Sequence, residues 1–287
     1  MRGLPPFFAD YHRLVASELQ RLLPPGGGRV DQAMAYTGLA PSKQVRAVLV
    51  LLSAELCRGR ADRAVPAAAA IELVHASSLI LDDLPAMDDA PLRRGRRANH
   101  LEFDEATAIL AATGLLNLAY ATLPQAYPPP LATNLTAVLA GAVGTAGLIG
   151  GQALDLEATD QAITFEVLER IHRGKTGALF VAATTCGALT ANAAADTMAA
   201  LSAYAKNLGL AFQIVDDLLD VAGSTADTGK AVRADARKTT FVSFSGVEGA
   251  RQLAAELCGA ADRALAPFGA RAARLHELSA FVAARRL

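Results

Sequence analysis

Two clusters of aspartates are the residues of this chain best suited to chemistry, and each one follows an apolar run. Carboxylates grouped on one helix face repel one another, and burying them without cations costs roughly several kcal/mol. Hard divalent ions such as Mg²⁺ prefer oxygen ligands and often bind one or two carboxylates together with water and a substrate phosphate. Two facing clusters could therefore hold a diphosphate between them. The clusters are Asp82, Asp83 and Asp88, and Asp216, Asp217 and Asp220.

The spacing around the first cluster predicts how its carboxylates are presented. His75, Ser78 and Asp82 fall close to one line along a helix of 3.6 residues per turn. Pro85 is expected to end that helix, so that Asp88 folds back toward the first pair. A single cluster of this kind could be a solvated helix end. Its recurrence behind a second apolar run favours a metal site.

Four arginines follow the first cluster within five positions: Arg93, Arg94, Arg96 and Arg97. A solvated loop or a nucleic-acid patch would need no aspartates alongside. Guanidinium groups match phosphate oxygens bidentately, so we interpret the first two arginines as part of a diphosphate clamp. We expect the last two to be exposed at the surface.

Taken together, these motifs resemble those of the trans-isoprenyl diphosphate synthases, which join isopentenyl diphosphate to an allylic diphosphate. That family's two aspartate-rich motifs, DDxxxxD and DDxxD, appear as "DDLPAMD" at 82–88 and "DDLLD" at 216–220. Further family marks, from Lys43 to Thr240, span about two-thirds of the chain. In chain order they are "SKQVR" at 42–46, His75, "RRG" at 93–95, "GGQALD" at 150–155, "GKTGALF" at 174–180, "FQ" at 212–213, "TGK" at 228–230 and "DARKTT" at 235–240.

The resemblance implies a role for each matching residue. All six aspartates would bind Mg²⁺ that is bridged to the allylic diphosphate. Lys175 and Thr176 would also lie near the reacting carbons and, with Asp82 and Asp216, would form the catalytic group. The residues implied to assist the allylic diphosphate are Arg93, Lys175, Gln213 and Lys230, with Lys238 as a further candidate. Those implied to hold the diphosphate of isopentenyl diphosphate are Lys43, Arg46, His75 and Arg94.

Some of these positions also have simpler interpretations. Lys43 and Arg46 could belong to a solvated helix face, and His75 could be a histidine of the core. Gln152 and Asp155 share a helix face and could bond to each other in the core, so neither is counted among the predicted site residues.

Product length is predicted from the helix that leads into the first motif. In this family, bacterial members that make farnesyl diphosphate generally place an aromatic residue five positions before the first aspartate. This chain has Ser77 there, followed by Ser78. Without a ring to block the tunnel, we expect geranylgeranyl diphosphate (C20), with farnesyl diphosphate (C15) as the alternative. An ideal wheel aligns Ser78, rather than Ser77, with Asp82, so this inference depends on the resemblance more than on geometry.

The chain departs from the family pattern at three places, none of which is a magnesium aspartate. "PSKQVRA" stands where GGKRxRP is usual, and Ala112-Thr113-Gly114 stands where AGD is usual. "DARKTT" lacks a glycine, which leaves the register of Lys238 open. The first two changes are the support for an alternative function, a catalytically silent subunit of another enzyme. Another alternative is a class I terpene cyclase, against which the second DDxxD motif argues.

The elements that must position these residues are predicted to be helices. The chain is 52% hydrophobic and 5% aromatic and lacks Trp, and its alanine runs favour closely packed helices. Helical spacing or continuous apolarity covers 43–58, 66–84, 104–120, 165–189 and 196–221. We therefore predict an all-α protein with one domain over residues 1–287. The resemblance implies an isoprenoid synthase bundle with a central cavity, usually assembled as a homodimer.

Composition also indicates which partners and compartments to expect. A net charge of −1 gives no electrostatic reason to expect nucleic acid. Cys57, Cys186 and Cys258 match no metal-ligand spacing and are odd in number, which is typical of a cytoplasmic protein. Residues 106–154 carry no charge, and we interpret them as buried helices of the bundle rather than a stable membrane insertion.

Overall fold

Alanine-rich and apolar runs form long helices in this protein, whose computed structural model describes residues 4–23, 26–222 and 238–284. The all-α prediction is confirmed: the only sheet among the described residues is a hairpin of two strands, each two residues long. The helices are α1 (Phe8–Leu22), α2 (Arg29–Gly38), α3 (Val45–Leu56), α4 (Ala61–Asp82), α5 (Asn99–Glu102), α6 (Glu105–Ala126), α7 (Pro129–Val143), α8 (Leu148–Glu157), α9 (Phe165–His172), α10 (Ala178–Thr190), α11 (Ala195–Ala222), α12 (Phe241–Ala264) and α13 (Ala273–Ala283). A π-helical segment, Arg173–Gly177, joins α9 to α10, and a 3₁₀ segment, Ala266–Ala272, precedes α13.

Small residues let these helices approach one another closely. A side chain at Gly187 of α10 would place its Cβ 2.2 Å from the carbonyl oxygen of Val50 on α3. A Cβ at Gly151 of α8 would lie 2.1 Å from the backbone nitrogen of Lys175. Real side chains do not fit at such distances, so Gly187 permits the packing of α10 against α3, and Gly151 permits the packing of α8 against the π-helical segment.

Helix α4, which leads into the first motif, begins five residues earlier than the sequence predicts. Pro66 lies inside it and supplies no backbone N–H. The Tyr127 hydroxyl lies at this point, 2.8 Å from the carbonyl oxygen of Arg63 and 3.2 Å from the backbone nitrogen of Ala67. It donates to the carbonyl and accepts from the N–H, so the helix continues through the proline because a distant side chain satisfies the interrupted backbone.

The arginine-rich segment after the first motif forms a hairpin. Strands β1 (Leu92–Arg93) and β2 (Arg96–Arg97) pair antiparallel, with Arg93 opposite Arg96. The two residues of the turn, Arg94 and Gly95, have φ values of 54° and 73°. Positive φ at both positions is the pattern of a type I′ turn, which suits the twist of a two-residue hairpin. The turn thereby separates the side chains of Arg93 and Arg94.

The uncharged stretch 106–154 is less buried than predicted. Three segments are long and apolar enough to cross a membrane, judged by length and composition alone: Ala61–Asp82, Glu105–Ala126 and Pro129–Glu157. Within the bundle, 72% of the apolar window of the first is buried, but only 44% and 33% of the windows of the other two. The prediction of buried helices is therefore wrong for the outer face of α6, where Ile109 and Leu110 are 45% and 56% exposed, and for more than half of the third window.

Candidate active site

Both aspartate clusters line one cavity of about 300 Å³ between the C-terminal ends of α4 and α11. Its walls also include the π-helical segment, α8 and the start of α12. One part is apolar and contains Leu79, Leu148, Leu179 and Phe212. The predicted site residues that line it are Arg46, His75, Ser78, Asp82, Asp88, Arg93, Arg94, Lys175, Thr176, Gln213, Asp216, Asp217, Asp220 and Lys238.

The first motif folds back on itself, as Pro85 predicts. Helix α4 ends at Asp82, and the backbone N–H of Asp88 donates to the Asp82 carbonyl at 2.9 Å. Asp89 adopts a φ of 47° and bonds to the Leu84 carbonyl at 3.1 Å. This loop returns Asp88 to the cavity, beside the residue that ends the helix.

Asp83 is held by an arginine. Its carboxylate, 2% exposed, accepts from the Arg93 Nε at 2.9 and 3.2 Å, and a terminal guanidinium nitrogen bonds to the same group. This bidentate pair fixes the Arg93 side chain in the cavity wall. The neighbouring Arg94 makes a different contact: its Nη1 lies 3.4 Å from the Ala40 carbonyl oxygen.

In the second motif, Asp217 has both carboxylate oxygens bonded. One accepts from the Gln213 Nε2 at 3.0 Å, and the other accepts from the backbone N–H of Phe241 at 3.0 Å. The Gln213 carbonyl oxygen in turn accepts from the Thr176 hydroxyl at 3.0 Å. A continuous chain of hydrogen bonds thus joins the π-helical segment, α11 and the first residue of α12.

Two lysines meet at the carboxylate of Asp155. The Nζ atoms of Lys175 and Lys238 lie 2.7 and 2.8 Å from the same Asp155 oxygen, and Lys238 also contacts Asp88 at 2.7 Å. Burial acts to raise the pKa of Asp155, but the two ammonium groups outweigh it and hold that pKa below its usual range. Asp155 therefore stays ionised and positions both lysines toward the first motif.

The carboxylate of Asp82 is in a different electrostatic setting. Burial raises its pKa, Lys175 and Arg93 oppose that shift, and Asp88 adds to it. A buried carboxylate with a raised pKa carries charge that its surroundings do not fully neutralise. A divalent cation at this position would supply the missing positive charge.

Arg46, His75 and Arg94 line the same cavity as the aspartates, and we call these three residues the basic pole. The Arg46 Nη1 lies 3.3 Å from the His75 Nε2, and its guanidinium carbon lies 5.0 Å from the centre of the Phe180 ring. Burial lowers the pKa of Arg46, whereas the buried Glu72 carboxylate opposes that change. Burial, reinforced by Arg46 and Arg94, holds the pKa of His75 well below its usual range. The Arg46 Nε is buried without a partner among the described residues, as expected where an anion binds.

Several predicted residues lie elsewhere. Lys43 is not brought to the cavity wall: its Nζ lies 6.0 Å from the centre of the Phe281 ring. Lys230 is outside the described residues. Arg96 and Arg97 are exposed, as predicted, and the Arg96 guanidinium stacks 3.8 Å from the centre of the Tyr36 ring.

Thr113, which replaces the usual acid behind the first motif, is exposed on α6 and bonds to the Ile109 carbonyl at 2.9 Å. It does not line the cavity, so its lack of charge alters no contact of the catalytic residues.

The two serines before the first motif point in different directions. Ser78 lines the cavity, as the helical wheel predicts, and its hydroxyl donates to the His75 carbonyl at 3.0 Å. Ser77 is 3% exposed and turns toward α6, where its hydroxyl donates to the Ala112 carbonyl at 2.8 Å. Ser77 therefore lies in the small-residue contact between α4 and α6.

Sequence reasoning missed two residues that the structure brings to the cavity, Asp155 and His172. The simpler interpretation of Gln152 and Asp155, a bond between the two side chains, is not what the structure has: Asp155 binds the two lysines, and the Gln152 Nε2 lies 3.7 Å from the Met87 sulfur. The "GGQALD" motif was the available signal for Asp155. His172 stacks against Phe241, with 5.2 Å between ring centres, and its Nδ1 is buried without a partner among the described residues.

Comparison with known proteins agrees with this geometry. Residues 28–261 match the polyprenyl synthetase family. The chain is 43% identical over 243 residues to a farnesyl diphosphate synthase of Escherichia coli, covering 82% of this chain and 81% of that protein. It is 40% identical over 249 residues to a geranylgeranyl diphosphate synthase of Cyanophora paradoxa, covering 84% and 83%. A crystal structure of an FPP/GFPP synthase from Zymomonas mobilis superposes with a TM-score of 0.87 at 33% identity, covering 97% of this chain and 98% of that chain.

Proposed function

The chain belongs to the polyprenyl synthetase family and is a short-chain trans-prenyltransferase, and we propose that it makes mainly geranylgeranyl diphosphate from isopentenyl diphosphate and an allylic diphosphate with Mg²⁺. The observation that carries the proposal is one cavity with acidic clusters on facing helices and a buried basic pole beside them. Such a site can bind two diphosphates differently, one through metal ions and one through direct contact with cations.

The donor set fits Mg²⁺. Among the described residues, no group of three or more His, Cys, Asp or Glu side chains is close enough to hold a metal ion by itself. Mg²⁺ commonly takes one or two carboxylates and completes its octahedron with water and substrate phosphate. Asp82, Asp88, Asp216 and Asp220 line the cavity and would hold the ions. Asp83, bonded to Arg93, and Asp217, which also lines the cavity but has both oxygens bonded, would position the motifs.

In the proposed reaction, Mg²⁺ when bound would supply positive charge to the departing diphosphate. Lys175 and Lys238 would bind oxygens of the same group, since Asp155 already directs both ammonium groups to that side. Arg46, His75 and Arg94 would hold isopentenyl diphosphate with its double bond toward the allylic carbon. The proton lost after the new carbon–carbon bond forms would pass to the released diphosphate.

The apolar side chains of the wall would exclude water from the reacting carbons and accept the growing chain. Leu79, Leu148, Leu179 and Phe212 line the same cavity as the aspartates. An apolar wall protects an allylic cation from capture by water, which would otherwise produce an alcohol.

Product length is the finer part of the proposal. Helix α4 offers Ser78 to the cavity and Ser77 to the contact with α6, so α4 itself places no aromatic ring at these two positions below Asp82. This supports the C20 product. Farnesyl diphosphate, C15, is the second candidate, favoured by the 43% identity to the farnesyl diphosphate synthase of Escherichia coli.

We also propose that the protein is a cytoplasmic homodimer. Three free cysteines, two of them buried, suit a reducing compartment. The exposed, uncharged outer face of α6, with Ile109 and Leu110, suits contact with a second copy of the chain rather than membrane insertion.

One experiment tests the reaction and its product together. Purified protein is incubated with Mg²⁺, isopentenyl diphosphate and, in turn, dimethylallyl, geranyl or farnesyl diphosphate, and the products are dephosphorylated and separated by chromatography. We expect geranylgeraniol as the main alcohol. A cyclic hydrocarbon would instead identify a terpene cyclase, and no product from any primer would identify a silent subunit.

A further inference from the structure

A second apolar cavity, of about 450 Å³, lies outside the active site between α7, α10 and α11. Its volume is in the range typical of small-molecule sites. Small residues keep it open, and among them a Cβ built at Gly141 meets nothing within 4 Å. The apolar wall includes Val138, Val181 and Leu210. We call this feature the α7–α11 groove.

The charges at the α7–α11 groove are all of one sign. Arg173 and Lys206 line it, and no acidic side chain does so among the described residues. Arg173 pairs with Glu169 one turn earlier, at 3.1 Å, but an exposed pair of this kind contributes at most about 1 kcal/mol and can rearrange. Lys206 is exposed and makes no ion pair with any described residue. An apolar groove with two cations at its edge complements an amphiphilic anion.

The groove and the active cavity share the π-helical segment as a wall. Arg173 and Gly177 line the groove, whereas Lys175 and Thr176 line the active cavity. Helix α11 packs tightly against this segment, since a Cβ at Gly209 would lie 3.3 Å from the Gly177 Cα. A molecule in the groove would therefore contact the backbone that carries Lys175 and Thr176, without entering the active cavity.

We propose that the α7–α11 groove is a second binding site for an isoprenoid diphosphate, with the chain against Val138, Val181 and Leu210 and the diphosphate at Arg173 and Lys206. The choice of occupant rests on the proposed function, because that reaction supplies a molecule with an apolar chain and a terminal diphosphate. The groove has no carboxylate to hold Mg²⁺, so its binding, unlike that of the allylic site, does not require the metal.

The test is equilibrium dialysis of the full chain against radiolabelled farnesyl diphosphate, with Mg²⁺ and separately with EDTA. We expect binding that persists in EDTA in addition to binding that requires Mg²⁺.

Lys206→Glu should weaken the EDTA-resistant binding about tenfold or more, because it replaces an attractive charge with a repulsive one. Gly141→Phe should weaken it as well, by filling the apolar part. Both variants should retain Mg²⁺-dependent binding and the initial rate of prenyl transfer. Arg251→Glu, a charge reversal on the exposed face of α12, is the matched control and should change neither kind of binding.

Three results would overturn the second site: no binding in EDTA, EDTA-resistant binding that both groove variants retain, or dissociation of an oligomer by Lys206→Glu in sedimentation velocity. The second would place that binding in the active cavity, and the third would make the groove a contact between copies of the chain. Failure of the proposed function is separate, because it would appear as loss of Mg²⁺-dependent binding and of product formation in the unmodified protein.

Discussion

The aspartates of the two motifs divide into two kinds according to what they contact. Asp83 and Asp217 are almost fully buried, and their oxygens are bonded to Arg93, to Gln213 and to the backbone of Phe241. Asp217 also lines the cavity, together with Asp82, Asp88, Asp216 and Asp220, and Asp88 contacts Lys238. Residues of the same type within one motif therefore have different proposed roles: protein donors compensate the burial of Asp83 and Asp217, whereas burial raises the pKa of Asp82.

Removing a cavity-lining aspartate should affect turnover far more than folding. We expect Asp82→Ala and Asp216→Ala each to lower kcat by about two orders of magnitude or more, because each loses a proposed Mg²⁺ ligand. Stability should change less than turnover, since burial already disfavours the charged form of a carboxylate such as Asp82. Steady-state kinetics and urea unfolding measure both effects. Asp196→Ala, at the exposed start of α11, is the control. Near wild-type turnover of either variant at low Mg²⁺ would contradict the two-cluster mechanism.

Arg93 and Arg94 are adjacent in sequence but serve different ends of the cavity. Arg93 is paired with Asp83, whereas Arg94 belongs to the basic pole. We expect Arg94→Ala to raise KM for isopentenyl diphosphate about tenfold with a smaller effect on KM for the allylic substrate. Arg93→Ala should do the reverse. If Arg94→Ala leaves KM for isopentenyl diphosphate unchanged and raises that for the allylic substrate, the two assignments must be exchanged.

His172 should make the fold sensitive to acid. Burial lowers the pKa of His172 to about 4, so below pH 6.5 the unfolded chain takes up a proton that the folded protein refuses. Stability therefore falls as the pH falls from 6.5 toward 4. His172→Gln should reduce the loss between pH 6.5 and 4.5 by about 2 kcal/mol. Urea unfolding at both pH values measures it, with His276→Gln on α13 as the control. An equal loss in wild type and His172→Gln would show that other groups dominate.

At the scale of elements, helix α4 decides both the placement of the first motif and the space for the product. It continues through Pro66 because Tyr127 bonds to the interrupted backbone, and it ends at Asp82 so that the motif folds back. Its two faces at Ser77 and Ser78 make different contacts. Ser77 contacts α6, and Ser78 lines the cavity.

Large side chains at these two serines should shorten the product by different routes. Ser78→Phe places a ring directly in the cavity one turn below Asp82, so we expect short products and reduced turnover. Ser77→Phe must displace the contact with Ala112, at a cost of about 1–3 kcal/mol, and should shift the product toward C15 while ionisation continues. Chromatography of the dephosphorylated products measures chain length. Ser77→Ala is the control, because it removes the hydroxyl without adding bulk. A wild-type product of C15 that Ser77→Phe does not change would place the floor of the cavity elsewhere.

At the scale of the whole molecule, the outer face of α6 is apolar without being covered. Leu110 and Ile109 are exposed there, and the neighbouring stretch carries no charge from 106 to 154. A soluble monomer rarely leaves such a surface in water, which supports the proposed homodimer.

A charge on this face should disrupt the proposed dimer. We expect Leu110→Glu to convert a dimer to a monomer in sedimentation velocity, because it buries an unpaired carboxylate at the contact. Val247→Glu introduces the same change on α12, where the residue is 36% exposed, and should leave the assembly intact. A monomeric wild-type protein, or a Leu110→Glu variant that remains dimeric, would remove this face from the contact.

The sequence by itself determined the helical class, the two aspartate motifs and the turn that returns Asp88 to Asp82. These are local properties: helical periodicity, and a proline that cannot continue the helix. The exposure of Arg96 and Arg97 was also predictable, since nothing beside them requires burial.

Only the tertiary structure decided which partner each polar group takes. The meeting of Lys175 and Lys238 at Asp155, the turn of Ser77 toward α6, the position of Lys43 outside the cavity wall and the bonding of Tyr127 at Pro66 join residues 20 to 238 positions apart. Such contacts depend on how helices pack, and a helix presents the same side-chain pattern to a neighbour, to solvent or to a second subunit. The uncharged character of 106–154 was therefore readable from the sequence, but which face of these helices is covered was not.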